Sequence, residues 1–84
     1  MLNMKLMNDM EILGARIQEA RKRRGLRQTD VADLASVRRQ VVGELERGVY
    51  KGSLQRTIDV LRAMGLRLDI KAARFPTLDE LSDE

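Results

Sequence analysis

The chain predicts an all-α fold: a compact domain of four to five short helices followed by one C-terminal β-strand. Three observations carry that prediction. Apolar residues recur at helical spacing in four successive windows, glycines at 25, 48 and 65 close three of them, and only residues 66–71 alternate apolar with polar side chains. Helices of about 8 to 14 residues joined by about 2 to 6 describe a small bundle. No repeat, low-complexity tract or domain linker interrupts it.

The first window runs from Glu11 to Arg24, with Leu13, Ile17 and Ala20 on one face and Arg16, Gln18, Glu19, Lys22 and Arg23 elsewhere. Gly25 then offers a left-handed stop. The second spans Gln28 to Ala35 and turns Val31, Ala32 and either Leu34 or Ala35 inward; the third spans Arg38 to Arg47, anchored by Val41, Val42 and Leu45 and closed by Gly48. Gly52-Ser53 supplies a loop and an N-cap for the fourth, whose Leu54, Ile58 and Leu61 make the expected inner stripe before Gly65. Ahead of these windows, Met1, Met4, Met7 and Met10 recur every three residues, either as a frayed leader or as an apolar stripe for a partner or a membrane surface.

The period then changes. Leu66, Leu68 and Ile70 alternate with Arg67, Asp69 and Lys71, a strand signature with no second strand in the chain to pair with. Unpaired backbone donors and acceptors are costly, so the economical partner is the same strand of a second copy. The expectation is a homodimer joined by a two-stranded antiparallel ribbon through Leu66, Leu68 and Ile70; a coil lying on the core is the alternative. Association would help a chain of 84 residues, because a domain this small buries only about 60% of the surface its unfolded form exposes. The expected division is a leader (1–10), a helical domain (11–65), a dimerising strand (66–72) and a C-terminal tail (73–84).

Composition narrows the function. There is no Cys and no His, so disulfides, Cys/His metal sites and imidazole catalysis are excluded by inventory, and no cofactor is expected. No Gly-rich phosphate loop or paired-carboxylate pattern points to an enzyme. No apolar run approaches the roughly 20 residues that span a bilayer, so no membrane partner and a cytoplasmic setting are expected. Residues 11–74 carry fifteen Lys/Arg against eight Asp/Glu, whereas residues 75–84 carry four acids and no base. A basic body suits a polyanion, and the acidic tail suits a basic protein or water.

The second and third windows form two short helices hinged at a tight turn, and the third opens with Arg38-Arg39-Gln40. Arg forks onto the acceptor pair of guanine and Gln onto the donor and acceptor of adenine, which is the chemistry of a base-reading helix. Gly25-Leu26, Gln28, Asp30-Val31-Ala32, Val41-Val42 and Leu45-Glu46-Arg47-Gly48 resemble, at unchanged spacing, the phage-repressor or XRE class of helix-turn-helix proteins, over about Leu13 to Met64. The strand after the fourth helix, with Leu45-Glu46-Arg47-Gly48, resembles the HipB-type antitoxins within that class.

The resemblance implies a lambda-repressor-like fold and a dimer that represses its own operon, reads double-stranded DNA as an inverted-repeat operator on the nucleoid, and binds a HipA-type kinase toxin. A stand-alone or prophage regulator without a toxin is the alternative. It implies base reading by Arg38, Arg39, Gln40 and, one turn on, Glu44; a phosphate contact by Gln28; and a structural ion pair between Arg21 and Glu46. Arg27, Arg47 and Lys51 flank the reading helix where the DNA backbone would run. In the tail, Phe75, Leu78 and Leu81 recur at helical spacing behind a possible cap at Thr77, a candidate toxin-binding segment or a disordered end.

The sequence also departs from the class. Arg27 stands where a hydroxyl usually caps the second helix, which removes an acceptor worth about 1 kcal/mol, and Arg38 stands where a Ser or Thr usually opens the third. Ser36 stands at the turn where Gly is usual, so it must adopt a left-handed backbone or reshape the turn. Gly43 sits inside the third helix, a cost of about 1 kcal/mol against Ala, and leaves room for close approach to DNA.

Overall fold

The computed structural model describes residues 6–71, which fold into α1 (Asp9–Arg23), α2 (Gln28–Ala35), α3 (Arg39–Arg47) and α4 (Leu54–Ala63). Helix α1 starts two residues before the expected Glu11. Asn8 caps it: its side chain accepts from the Glu11 backbone N–H at 2.8 Å, and the Glu11 carboxylate accepts from the Asn8 N–H at 3.1 Å. This reciprocal pairing satisfies two of the four donors that a helix start leaves open. Helix α3 begins at Arg39, with Arg38 as its extended N-cap.

All four helices end in the same way. The N–H of the residue after the turn reaches back to a carbonyl five positions earlier: Leu26 to Arg21, Val37 to Ala32, Val49 to Glu44 and Leu66 to Leu61, at 2.8–3.1 Å. This Schellman geometry needs a left-handed residue just before the donor. Glycine supplies it three times, and Ser36 supplies it between α2 and α3 with φ of 59°. Of the two options open to Ser36, the strained one is taken, at a cost of about 1–2 kcal/mol. The donor residue is apolar each time, and Leu26, Val37 and Leu66 pack against the core as they leave the turn.

Helix α1 lies against α3, and α2 against both α3 and α4. Their shared core is Ile17, Val31, Ala32, Ala35, Val42, Leu45, Val60, Leu61 and Met64. Ala35, not Leu34, completes the inner face of α2; Leu34 is 63% exposed. At the α1–α3 crossing, Gly14 is buried, and a Cβ there would collide with the carbonyl oxygens of Leu45 and Glu46. The missing side chain is what lets the two backbones meet.

One expectation needs correction. The inner stripe of α4 is Thr57, Val60, Leu61 and Met64, not Leu54, Ile58 and Leu61. Both sets have helical spacing, and the apolarity of Leu54 and Ile58 masks a phase in which the core accepts the hydroxyl of Thr57. Leu54 is 65% exposed and, with Ile58, Leu68, Asp69 and Ile70, lines an open, mainly apolar groove of about 450 Å³. In the single chain, residues 66–71 carry no regular secondary structure, and no strand exists among the described residues. A strand needs a ladder partner, and one copy of the chain supplies none. Met1, Met4, Thr77, Phe75, Leu78 and Leu81 lie outside the described residues.

Candidate nucleic-acid interface

The α2–turn–α3 unit is held rigidly from behind. Val31, Ala32 and Ala35 of α2 and Val42 and Leu45 of α3 are buried in one core, and Val37 in the turn packs against it. Locking the inner face of α3 fixes its outer face. Arg38, Arg39 and Gln40 all emerge exposed at the start of α3. Gln40 Nε2 donates to Glu44 Oε2 at 3.0 Å, one turn on, so these two candidate readers hold each other in the free protein. Arg39 has no partner among the described residues. Arg47, in the last turn of α3, and Lys51, in the loop before α4, are exposed and equally unpaired.

Beneath this face, the Arg21 guanidinium meets the Glu46 carboxylate through two bonds, Nε to Oε2 at 2.6 Å and Nη2 to Oε1 at 3.1 Å. Arg21 Nη1 also donates to the Leu26 carbonyl at 2.9 Å, tying the pair to the connection between α1 and α2. The side chains are 12% and 2% exposed. Burial pushes the Glu46 carboxyl up, but hydrogen bonds from Arg21, Gln28 and Gln18 and the charge of Arg21 more than reverse that, leaving it below the usual carboxylate range. Its hydrogen bonds to Glu46 hold Arg21 above its ordinary value, against its own burial. A fork of this kind fixes orientation as well as charge, and here it joins the end of α1 to the last turn of α3.

Gln28, expected to reach a phosphate, instead donates its amide to Glu46 Oε1 at 3.0 Å and is half-buried. It opens α2 and grips α3, so in the free protein its side chain spaces the two helices. The room beside Gly43 is bounded by the side-chain tips of Arg47 and Gln28, with no backbone against it.

Arg27 lacks the acceptor of a usual cap, and Asp30 compensates. It accepts from the Arg27 backbone N–H at 2.7 Å and pairs with the Arg27 side chain at 3.1 Å. Those contacts, the Arg27 side-chain bond first, hold the Asp30 carboxyl below its ordinary range.

Several features escape a linear reading. Arg56 in the first turn of α4 shares a cleft with Arg38, and Gly14 sits at the α1–α3 crossing. Tyr50 covers Gly52 in the α3–α4 loop, its hydroxyl buried without a hydrogen-bond partner. A glycine amid a helical pattern was the only available signal for Gly14. Nothing local marks Arg56, because its nearness to Arg38 arises from tertiary packing. Among the described residues, no cluster of His, Cys, Asp or Glu is fit to hold a metal ion, and no helix is long and apolar enough to cross a membrane.

Two packed helices, a tight turn and a basic outer helix face are the geometry of a helix-turn-helix, and the profile of the family described as Helix-turn-helix matches residues 17–71. This chain belongs to the XRE-type helix-turn-helix family. Among solved structures, the helix-turn-helix domain is similar to the restriction-modification controller protein C.AhdI from Aeromonas hydrophila, with 32% identity and a TM-score of 0.65 over 70% of this chain and 89% of that one. It is also similar to the clp gene regulator ClgR from Corynebacterium glutamicum, with 29% identity and a TM-score of 0.63 over 69% of this chain and 62% of that one. No curated protein sequence matches at a significant level. The helix-turn-helix protein is thus a DNA-binding transcriptional regulator and not an enzyme.

Proposed function

We propose that this protein is a cytoplasmic, homodimeric repressor that reads an inverted-repeat operator with α3. Arg39 and Gln40 are its principal base readers, Glu44 reaches the groove one turn on, and Arg38 stands at the threshold of the helix. Arg47 and Lys51 meet the flanking phosphates; Arg27 and Gln28 reach them only by releasing Asp30 and Glu46. The observation that carries this reading is the two-sidedness of α3: Val42 and Leu45 are fully buried while Arg39 and Gln40 are exposed. The second copy is supported by the apolar groove of Leu54, Ile58, Leu68 and Ile70, with Ile70 96% exposed, which a cross-paired strand would cover.

Within this reading, the resemblance of Leu45-Glu46-Arg47-Gly48 and the segment after α4 favours a HipB-type antitoxin that controls its own operon and engages a HipA-type kinase, with Phe75, Leu78 and Leu81 as the candidate contact. A stand-alone regulator is the second reading, favoured by the two solved relatives, described as a controller and a gene regulator. Selection of binding sites from a random duplex pool tests the common core of both. An inverted repeat bound by a dimer supports it, and retention of all duplexes alike overturns it. Co-purification of a kinase-like protein, lost on deletion of residues 75–84, separates the antitoxin from the stand-alone regulator.

A further inference from the structure

Between the α2–α3 turn and the first turn of α4 lies an open cleft of about 440 Å³, lined by Ser36, Val37, Arg38, Val41 and Arg56. Two of the five are arginines and none is acidic. Neither guanidinium has a hydrogen-bond or ion-pair partner among the described residues. The contrast with Arg21, Arg23 and Arg27, each paired with a carboxylate, is direct. Two cations converging on one cleft with no counter-charge call for an anion. The guanidinium fork matches the oxygens of a phosphate, the Ser36 hydroxyl adds a donor, and Val37 and Val41 form an apolar wall that strengthens the attraction.

We propose that Arg38 and Arg56 together clamp one backbone phosphate of the bound duplex. This rests on the reading of α3 as the DNA-facing helix. Arg38 immediately precedes α3, so the cleft opens at the edge of that face, where a sugar-phosphate strand borders the groove. The clamp makes Arg38 a residue that sets the register of α3, leaving discrimination to Arg39 and Gln40. It also adds Arg56, on a different helix, to the interface. The shared chemistry is a phosphate oxyanion, and the duplex backbone is its source.

The test uses the full chain and the variants Arg56→Gln, Arg38→Gln and their combination, titrated with a selected duplex and a scrambled one between about 50 and 200 mM salt. Each single variant is expected to shallow the salt slope by about one unit, equivalent to about a fourfold smaller affinity loss over that range. Both duplexes should be affected equally, so their affinity ratio stays at the wild-type value. The double variant should lose less than the product of the single losses, because the two arginines share one phosphate. Melting temperatures should be unchanged, since both side chains are exposed and unpaired.

The proposal is overturned if Arg56→Gln leaves affinity and slope unaltered in a chain that binds duplex, or if Arg38→Gln relaxes preference at a particular base. Failure of the wild-type chain to bind any duplex removes the α3 reading and the clamp together, an outcome distinct from the first. Titration of the free protein with inorganic phosphate separates the sources. No saturable binding at millimolar concentration is expected, and saturable binding abolished by Arg56→Gln assigns the cleft to a free phosphorylated ligand instead.

Discussion

The four arginines between positions 21 and 27 and those around α3 have the same charge and opposite occupations. Arg21 is forked onto buried Glu46, Arg23 pairs with Glu19, Arg24 donates to the Met64 and Ala20 carbonyls, and Arg27 pairs with Asp30. Arg38, Arg39, Arg47 and Arg56 have no partner among the described residues. Charge in the first group is partnered within the fold, and charge in the second is unpaired there. Basic composition alone does not separate the two, because the distinction lies in where carboxylates and carbonyls arrive from other elements.

Removing a member of each group should therefore break different properties. The largest loss is expected for Glu46→Ala, which strands the buried Arg21 charge and frees Gln28; urea unfolding should show a cost of about 3–5 kcal/mol. Acid should act on the same group. The folded pKa of Glu46 lies below its ordinary 4.5. The stability it contributes is thus fully present above that value and is lost as pH falls through the folded pKa. Glu46→Gln should flatten this acid limb of a stability-versus-pH curve; an unchanged limb would remove the pair from the fold's account.

The next effect belongs to Gly14→Ala. With two carbonyl oxygens in the way, α1 must shift off α3, at about 1–3 kcal/mol or more in a denaturant titration. That shift would also misplace Arg21 relative to Glu46, so the variant sharpens the comparison: it should weaken DNA binding through the scaffold without touching a DNA-facing side chain. Ser36→Gly should act in the other direction. Relieving the left-handed strain at the turn is expected to stabilise by about 1 kcal/mol, read as a raised melting temperature. Smallest of all should be Arg47→Ala, within about 0.5 kcal/mol of wild type in stability because nothing in the fold depends on it.

The helix ends were legible in the sequence because each is a local device. Gly25-Leu26, Gly48-Val49 and Gly65-Leu66 place a left-handed residue before an apolar one, and Asn8 with Glu11 three residues on is a capping box that the Met-rich leader obscured. The outer face of α3 was legible too, since Val41, Val42 and Leu45 fix which side turns inward. Long-range choices were not. Thr57 takes a core position over Ile58 because of the side on which α4 packs against α2 and α3, and Gln28 meets Glu46 only because α2 and α3 pack. The clustering of Arg38 with Arg56 has the same origin. Helical spacing assigns a residue to a face but does not name its neighbour across the fold.

On the proposed reading, the exposed outer face of α3 reads bases. The most direct measurement of this claim is the ratio of affinities for a selected and a scrambled duplex, at one fixed salt concentration, for wild type and for Arg39→Ala and Gln40→Ala. Each variant is expected to lose about 1–3 kcal/mol of discrimination at particular base positions while its melting temperature holds. An equal loss of affinity for both duplexes, with the ratio intact, would make these residues backbone contacts and contradict the claim.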